Sequence, residues 1–86
     1  MKQKEIIIKN KTGLHARPAA DFVKAAYNFK SDVKILKDDT EINGKSIMGV
    51  LTLAAGYNTK LVLIVEGEDE DEAINILSKI LEQEGE

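Results

Sequence analysis

The sequence predicts an α+β fold, a two-layer sandwich in which three helices cover one face of a four-stranded antiparallel sheet. First, the 86 residues suffice for one small domain, so residues 1–86 are expected to form a single unit. Second, the hydrophobic spacing alternates between strand and helix periods in the order β-α-β-β-α-β-α. Third, a fourth strand placed between the first and second makes every neighbouring pair antiparallel. The amphipathic helices then need only one face of this sheet.

The first two elements are a strand and a helix. Residues 4–9 are rich in isoleucine and are followed by the turn-forming segment 10–13, which indicates a strand. Pro18 falls in the first turn of the following helix, where its missing N–H costs little. The apolar positions of this helix recur at helical spacing and are Ala16, Ala19, Ala20, Val23, Ala26 and Tyr27.

The other three strands are predicted at residues 33–37, 40–42 and 60–66. Asp38 and Asp39 separate the first two of these segments and supply turn chemistry. These two strands therefore form a hairpin.

Two further helices complete the chain. Residues 46–51 form a short helix, in which Gly49 costs about 1 kcal/mol relative to alanine. The carboxylates at 68–72 mark the start of the third helix, where the positive end of the helix dipole favours negative charge. The predicted buried stripe of this helix is Ala73, Leu77, Ile80 and Leu81.

Charge is divided unevenly along the chain. Residues 1–65 carry eleven Lys and Arg against six acids, whereas residues 66–86 carry one lysine against nine acids. Such a division is typical of a basic docking surface or an acidic tail. Nucleic-acid binding is not expected, because the lysines are scattered and tryptophan is absent.

The composition excludes several classes of site. The chain has no cysteine, and its lone histidine cannot build a multi-histidine centre, so neither a metal nor a cofactor is expected. The longest apolar run, residues 61–65, is far shorter than the ~20 residues that a membrane span needs. We therefore expect a cytoplasmic protein without membrane insertion.

The strongest candidate for chemistry is the strand-to-helix junction at residues 12–18. His15 stands at the predicted helix start, beside free backbone amides that favour anions. Imidazole is a nucleophile at neutral pH, and the planar guanidinium of Arg17 suits phosphate. A solvated surface histidine that caps the helix poorly is the alternative. Because Gly13 and Pro18 also favour a sharp helix start, we predict that His15 accepts a phosphoryl group and that Arg17 stabilises it.

A second candidate lies at residues 44–51. Gly-Lys-Ser at 44–46 invites comparison with a phosphate-binding P-loop, but that motif requires glycine at position 39, where Asp39 stands. Ser46 is therefore interpreted first as a helix N-cap. Since the helix is too short to bury all its apolar residues, partial exposure is expected for Ile47, Met48 and Leu51. A flexible methionine on such a surface suits several partners.

These two segments resemble the signatures of HPr, the histidine-containing phosphocarrier family of the bacterial phosphoenolpyruvate-dependent sugar phosphotransferase system. Residues 13–19 read Gly-Leu-His-Ala-Arg-Pro-Ala, similar to its active-site signature. Residues 45–49 read Lys-Ser-Ile-Met-Gly, similar to its regulatory-serine signature. The resemblance covers essentially the whole chain and implies a single HPr-like domain with an open-faced β-sandwich fold.

The resemblance implies a phosphoryl carrier that is itself phosphorylated, rather than an enzyme. His15 would receive phosphate from enzyme I and pass it to a sugar-specific enzyme IIA domain. Ser46 would be the target of an HPr kinase/phosphorylase, and catabolite control protein A would be a further regulatory partner. We expect a monomer whose partner surface joins the first helix to Ile47, Met48 and Leu51, with Lys24 at the rim.

Two other functions stay open. A regulatory HPr-like module of a nitrogen-type or catabolite-repression branch would act mainly by binding partners. The family's regulatory member Crh has glutamine at the active position, so His15 argues against that interpretation. A small phosphatase of acyl phosphates is the third option, although the site offers no obvious group to activate water.

Tyr27 and Gly49 stand where some members of the HPr family have lysines, which leaves fewer positive charges for docking.

Overall fold

The computed structural model describes residues 1–14, 16–53 and 55–83, and it confirms the predicted order of elements. The strands are β1 (Lys2–Ile7), β2 (Asp32–Lys37), β3 (Thr40–Asn43) and β4 (Lys60–Glu66). The helices are α1 (Ala16–Ala26), α2 (Ile47–Thr52) and α3 (Glu70–Leu81).

The sheet has the predicted topology. Its strand order is β1-β4-β2-β3, and each neighbouring pair is antiparallel. The β4 strand lies at the centre, where Val65 stands opposite both Lys2 of β1 and Val33 of β2. The three helices cover one face and leave the other open, so the α+β fold of an open-faced sandwich is confirmed.

The predicted limits of the first strand, residues 4–9, are wrong by two residues at each end. The reason is the pairing partner: Lys2 stands opposite Val65 and Ile7 opposite Lys60, where β4 begins. Beyond this point the chain stays attached through Ile8, whose N–H donates to the Thr59 carbonyl at 2.9 Å. The β2–β3 hairpin matches its prediction within one residue at each end, with Asp38 at φ 53° in the turn.

The buried face of α1 differs in part from its prediction. Its buried residues are Ala19, Phe22, Val23 and Ala26, which follow the i, i+3, i+4, i+7 spacing of one helix face. Ala16 and Ala20 are exposed, and Tyr27 is exposed beyond the helix end. The large Phe22 ring, which has no exposed surface, therefore sets the face that packs on the core.

The start of α3 is joined to the segment between α1 and β2. One carboxylate oxygen of Asp69 accepts the Lys30 N–H at 2.8 Å, and the other accepts the Ser31 N–H at 3.0 Å and the Ser31 hydroxyl. The helix then buries Ala73, Leu77 and Leu81 as predicted, with Ile80 half-buried. No helix in the described ranges combines the length and apolar content needed to cross a bilayer.

Candidate functional site

The turn that leads into α1 needs glycine at position 13. Gly13 has a φ of +77°, and a Cβ there would lie 2.9 Å from the Ala55 carbonyl oxygen. Its N–H donates to the Asn10 carbonyl at 2.8 Å, which closes the turn. Both the backbone conformation and the close approach of the segment at 55–56 therefore exclude larger residues.

The next residue is fixed against the same segment. The Leu14 N–H donates to the Ala55 carbonyl at 2.7 Å, and the Leu14 side chain is buried in the core. Helix α1 begins at Ala16. His15, the predicted phosphoryl acceptor, lies between these residues in the sequence but outside the residues that the structure describes.

Two cations of α1 are exposed to solvent. Arg17 is the second residue of the helix, and Lys24 lies in its last turn. Neither side chain forms an ion pair with another described residue. Positive charge is therefore available near both ends of α1.

Ser46 is the N-cap of α2, as predicted. Its backbone is extended, with φ −108° and ψ 117°, and its hydroxyl accepts the Gly49 N–H at 3.0 Å. The side chain is half-buried. Replacement of such a cap by alanine typically costs about 1 kcal/mol of stability.

The segment at 44–46 is not a phosphate cradle. The Gly44 N–H donates to the Val33 carbonyl, and the Ser46 N–H donates to the Asn43 carbonyl. The Lys45 N–H donates to the Asn43 side chain, and its ammonium donates to the Phe29 carbonyl at 2.9 Å. These donors are already used within the protein, which agrees with rejection of the P-loop interpretation.

The apolar residues of α2 are exposed to different extents. Met48 is 67% exposed and Ile47 is 37% exposed. Leu51 is half-buried and packs against the hydrophobic core. Ile47 and Met48 therefore form the apolar surface of this helix, with only part of Leu51 beside them.

Helices α1 and α2 pack against each other in opposite directions. The start of α1 follows Leu14, which is bonded to Ala55 after the end of α2. The end of α1 precedes Phe29, which is bonded to Lys45 before the start of α2. Arg17 is therefore at the end of α1 that adjoins the exit of α2, whereas Ser46 adjoins the Lys24 end.

Sequence reasoning missed one exposed aromatic residue near this site. Tyr57 is 53% exposed and follows the 55–56 segment that contacts Gly13. The signal was present in the sequence, because an aromatic ring in a Gly-Tyr-Asn break has little core to enter.

A family described as the PTS HPr component phosphorylation site matches residues 2–83 of this chain. The chain belongs to the HPr family. HPr proteins are phosphocarriers, and this chain has the fold of solved HPr structures. Its relatives include both transfer and regulatory members.

The HPr-like protein Crh of Halalkalibacterium halodurans is 48% identical over 84 residues, which cover 98% of this chain and 100% of Crh. The phosphocarrier protein HPr of Treponema pallidum is 42% identical over 79 residues, which cover 92% and 90% of the two chains. Similarity to Crh and to HPr is thus comparable, although this chain has histidine at position 15.

Solved HPr structures have the same architecture. The crystal structure of HPr-C-His from Thermoanaerobacter tengcongensis matches with a TM-score of 0.90 and 48% identity, over 94% of this chain and 91% of that one. Crh of Bacillus subtilis, described as a swapped dimer, matches with a TM-score of 0.78 and 45% identity, over 100% and 99% of the two chains. The same architecture is therefore found in a solved HPr and in a swapped Crh dimer.

Proposed function

We propose that His15 accepts a phosphoryl group from phospho-enzyme I in the cytoplasm and passes it to enzyme IIA domains for sugar uptake. The observation that carries this proposal is the match of the HPr phosphorylation-site family to residues 2–83, with a histidine at position 15. In each step the bond from phosphorus to its donor breaks as a bond to the acceptor forms. No water takes part, so the phosphoryl group is conserved along the chain of carriers.

Arg17 is the proposed stabiliser of the phosphoryl group. It is exposed at the start of α1, and its guanidinium forms no ion pair with other described residues. A planar cation with five N–H donors matches the oxygens of a phosphoryl group in transit. Stabilisation of the charge that develops during transfer is the effect that raises the rate.

The proposed docking site is the α1–α2 surface, defined by Arg17, Lys24, Ile47, Met48 and Leu51. Exposed apolar side chains lie on α2, and the two cations lie on the helix packed beside it. Apolar contacts would supply affinity, and the cations would attract acidic partners. Because a carrier must release each partner quickly, we expect a small interface and micromolar affinity. The chain itself is expected to be a monomer.

Ser46 is the proposed target of an HPr kinase/phosphorylase. It stands at the start of α2, directly before the exposed Ile47 and Met48. A phosphate here would place two negative charges on the apolar part of the α1–α2 surface, where burial against a partner costs most. Since Ser46 and Arg17 lie at opposite ends of the α1–α2 pair, inhibition would act through docking rather than through His15 directly.

A second candidate function is a regulatory module that binds partners such as catabolite control protein A without transferring phosphate. The similarity to Crh favours this function. It would use the same α1–α2 surface. Crh structures are described as dimers, one of them domain-swapped, so for this function a dimer is the alternative to a monomer. The histidine at position 15 favours the carrier.

Onward transfer separates the two functions. The chain is phosphorylated with phosphoenolpyruvate and enzyme I, purified from both, and mixed with an enzyme IIA domain. A carrier transfers its label to enzyme IIA within seconds and returns to its unmodified mass. A chain that never acquires label, or that keeps it in the presence of enzyme IIA, is a regulatory module instead.

A further inference from the structure

Asn10 organises the turn that precedes the proposed phosphoryl acceptor. The residue is only 9% exposed, although its side chain is polar. Its side-chain oxygen accepts the Thr12 N–H at 3.0 Å and the Thr12 hydroxyl at 2.7 Å. Its backbone carbonyl accepts the Gly13 N–H at 2.8 Å. One buried residue therefore holds three donors from two residues of the turn, Thr12 and Gly13.

The constraint continues to the start of α1. Gly13 lies against the Ala55 carbonyl, which also accepts the Leu14 N–H at 2.7 Å. Leu14 is then anchored in the core by its side chain. From Asn10 to Leu14 the backbone thus has little freedom, and the residue attached to Leu14 is His15.

We infer that Asn10 is a positioning residue for phosphoryl transfer at His15, an inference that rests on the proposed function. Without its side-chain oxygen, the N–H and hydroxyl of the exposed Thr12 lose their common acceptor and bond to water instead, so the turn loses two of its constraints. The turn then samples other conformations, and the covalent connection carries this freedom to the backbone at position 15. Transfer depends on the orientation of the attacking nitrogen, so small displacements reduce the rate strongly.

The test compares Asn10→Ala with Asn10→Asp in transfer from phospho-enzyme I. Alanine removes the acceptor, whereas aspartate retains an oxygen that can accept both Thr12 donors. We expect kcat to fall about tenfold or more in Asn10→Ala, since displacements of about 1 Å can cost 100-fold in rate. The KM for enzyme I stays within twofold, because the α1–α2 surface is unchanged. Asn10→Asp restores kcat to within about threefold of wild type, an allowance for its added charge.

Amide hydrogen exchange and a matched variant separate positioning from stability. Faster exchange is expected at Thr12 and Leu14 in Asn10→Ala, with protection regained in Asn10→Asp. Ser31→Ala removes a buried hydroxyl that bonds to Asp69 near the other end of α1. It is the control for lost stability, and its kcat should match wild type at a temperature where both variants are folded.

Each outcome bears on one proposal. If the wild-type chain acquires no phosphoryl group, the proposed function fails and the positioning role falls with it. If the wild type is phosphorylated and Asn10→Ala has the same kcat, the positioning role alone is overturned. An equal loss of kcat in Ser31→Ala would also overturn it, because general destabilisation would then account for the effect.

Discussion

Arg17 is the described residue on which the rate of transfer most depends in this account. It contributes little to the fold, because it is exposed and forms no ion pair with the other described side chains. Its proposed effect appears only when a phosphoryl group is present. The two roles are therefore separable by experiment.

Replacement of Arg17 by alanine should lower kcat/KM for transfer from enzyme I by about 100-fold, the loss typical of one charge-stabilising donor. The free energy of unfolding should change by less than about 0.5 kcal/mol, as for most exposed substitutions. Stopped-flow transfer kinetics and urea denaturation measure the two effects. Lys24→Ala, on the same helix, is the matched control and should raise KM while leaving kcat unchanged. A kcat that is unchanged in Arg17→Ala, as it should be in Lys24→Ala, would contradict the assignment.

The structural roles of Gly13 and Ser46 could be predicted from the sequence, but those of Asn10 and Asp69 could not. Gly13 and Ser46 have local signals, a turn and a helix start. Asn10 gains its role from burial beneath the turn, and Asp69 from the approach of a segment 38 residues away. The Asp69 contact depends on the folded chain and leaves no mark in local spacing. Asn10 contacts Thr12 and Gly13 within the turn predicted at 10–13, so for this residue it is the burial that required the structure.

At the scale of elements, the start of α3 is a helix terminus and is also bonded to the segment between α1 and β2 through Asp69. We call this contact the joint. The acidic run at 68–72 was explained by the helix dipole, and Glu70, Asp71 and Glu72 do occupy the first turn. Asp69 has a more specific role, since it binds the segment between α1 and β2. The Ser31 hydroxyl, followed by the Lys30 N–H, lowers the pKa of Asp69 below its ordinary value of 3.8.

This joint predicts a pH-dependent stability. Because the pKa of Asp69 is lower in the folded state, its contribution is present above pH 3.8 and is lost as the pH falls further. Asp69→Asn should therefore unfold at lower urea than wild type at pH 7, and the difference should narrow below pH 3.8. Glu72→Gln removes the same charge from an exposed position of this turn and is the control. An equal gap between Asp69→Asn and wild type at pH 7 and pH 3 would be inconsistent with the joint.

Helix α2 combines a cap with part of the proposed docking site, and two substitutions at Ser46 separate these roles. Aspartate also caps helices, so Ser46→Asp should keep the circular dichroism spectrum while adding charge beside Ile47 and Met48. We expect its KM for enzyme I to rise markedly, with reactivity toward phosphoramidate unchanged. Ser46→Ala should lose about 1 kcal/mol of stability with little change in KM. If Ser46→Asp lowers the rate with phosphoramidate by the same factor as the rate with enzyme I, the docking mechanism is wrong.

At the scale of the whole molecule, ion pairs across the fold bring part of the acidic C-terminal charge next to the basic N-terminal charge. The N-terminal ammonium pairs with Glu70 at 3.0 Å, Lys2 with Asp71 at 3.3 Å and Lys4 with Glu82 at 3.7 Å. These exposed pairs add little stability, but they set the acids of α3 against the lysines of β1. The cations of the α1–α2 surface stay outside this arrangement, which leaves that surface suited to acidic partners.

The topology was predictable because periodicity and antiparallel pairing leave few arrangements of four strands and three helices. The limits of β1 were not, since the start of β4 determines where its ladder ends. The α1–α2 surface was predictable from residues that a short helix cannot bury, although Leu51 packs largely inward. The opposite direction of the two helices, which separates Ser46 from Arg17, required the folded structure.

The most direct test of the central claim is intact-mass spectrometry after incubation with phosphoenolpyruvate and a catalytic amount of enzyme I. The wild-type chain and Ser46→Ala should each gain one acid-labile adduct of ~80 Da, the mass of one phosphoryl group. His15→Gln, which carries the glutamine of the regulatory branch, should gain none. An unmodified wild-type chain, or an adduct that persists in His15→Gln, would contradict the assignment of this chain as a carrier that transfers phosphoryl groups through His15.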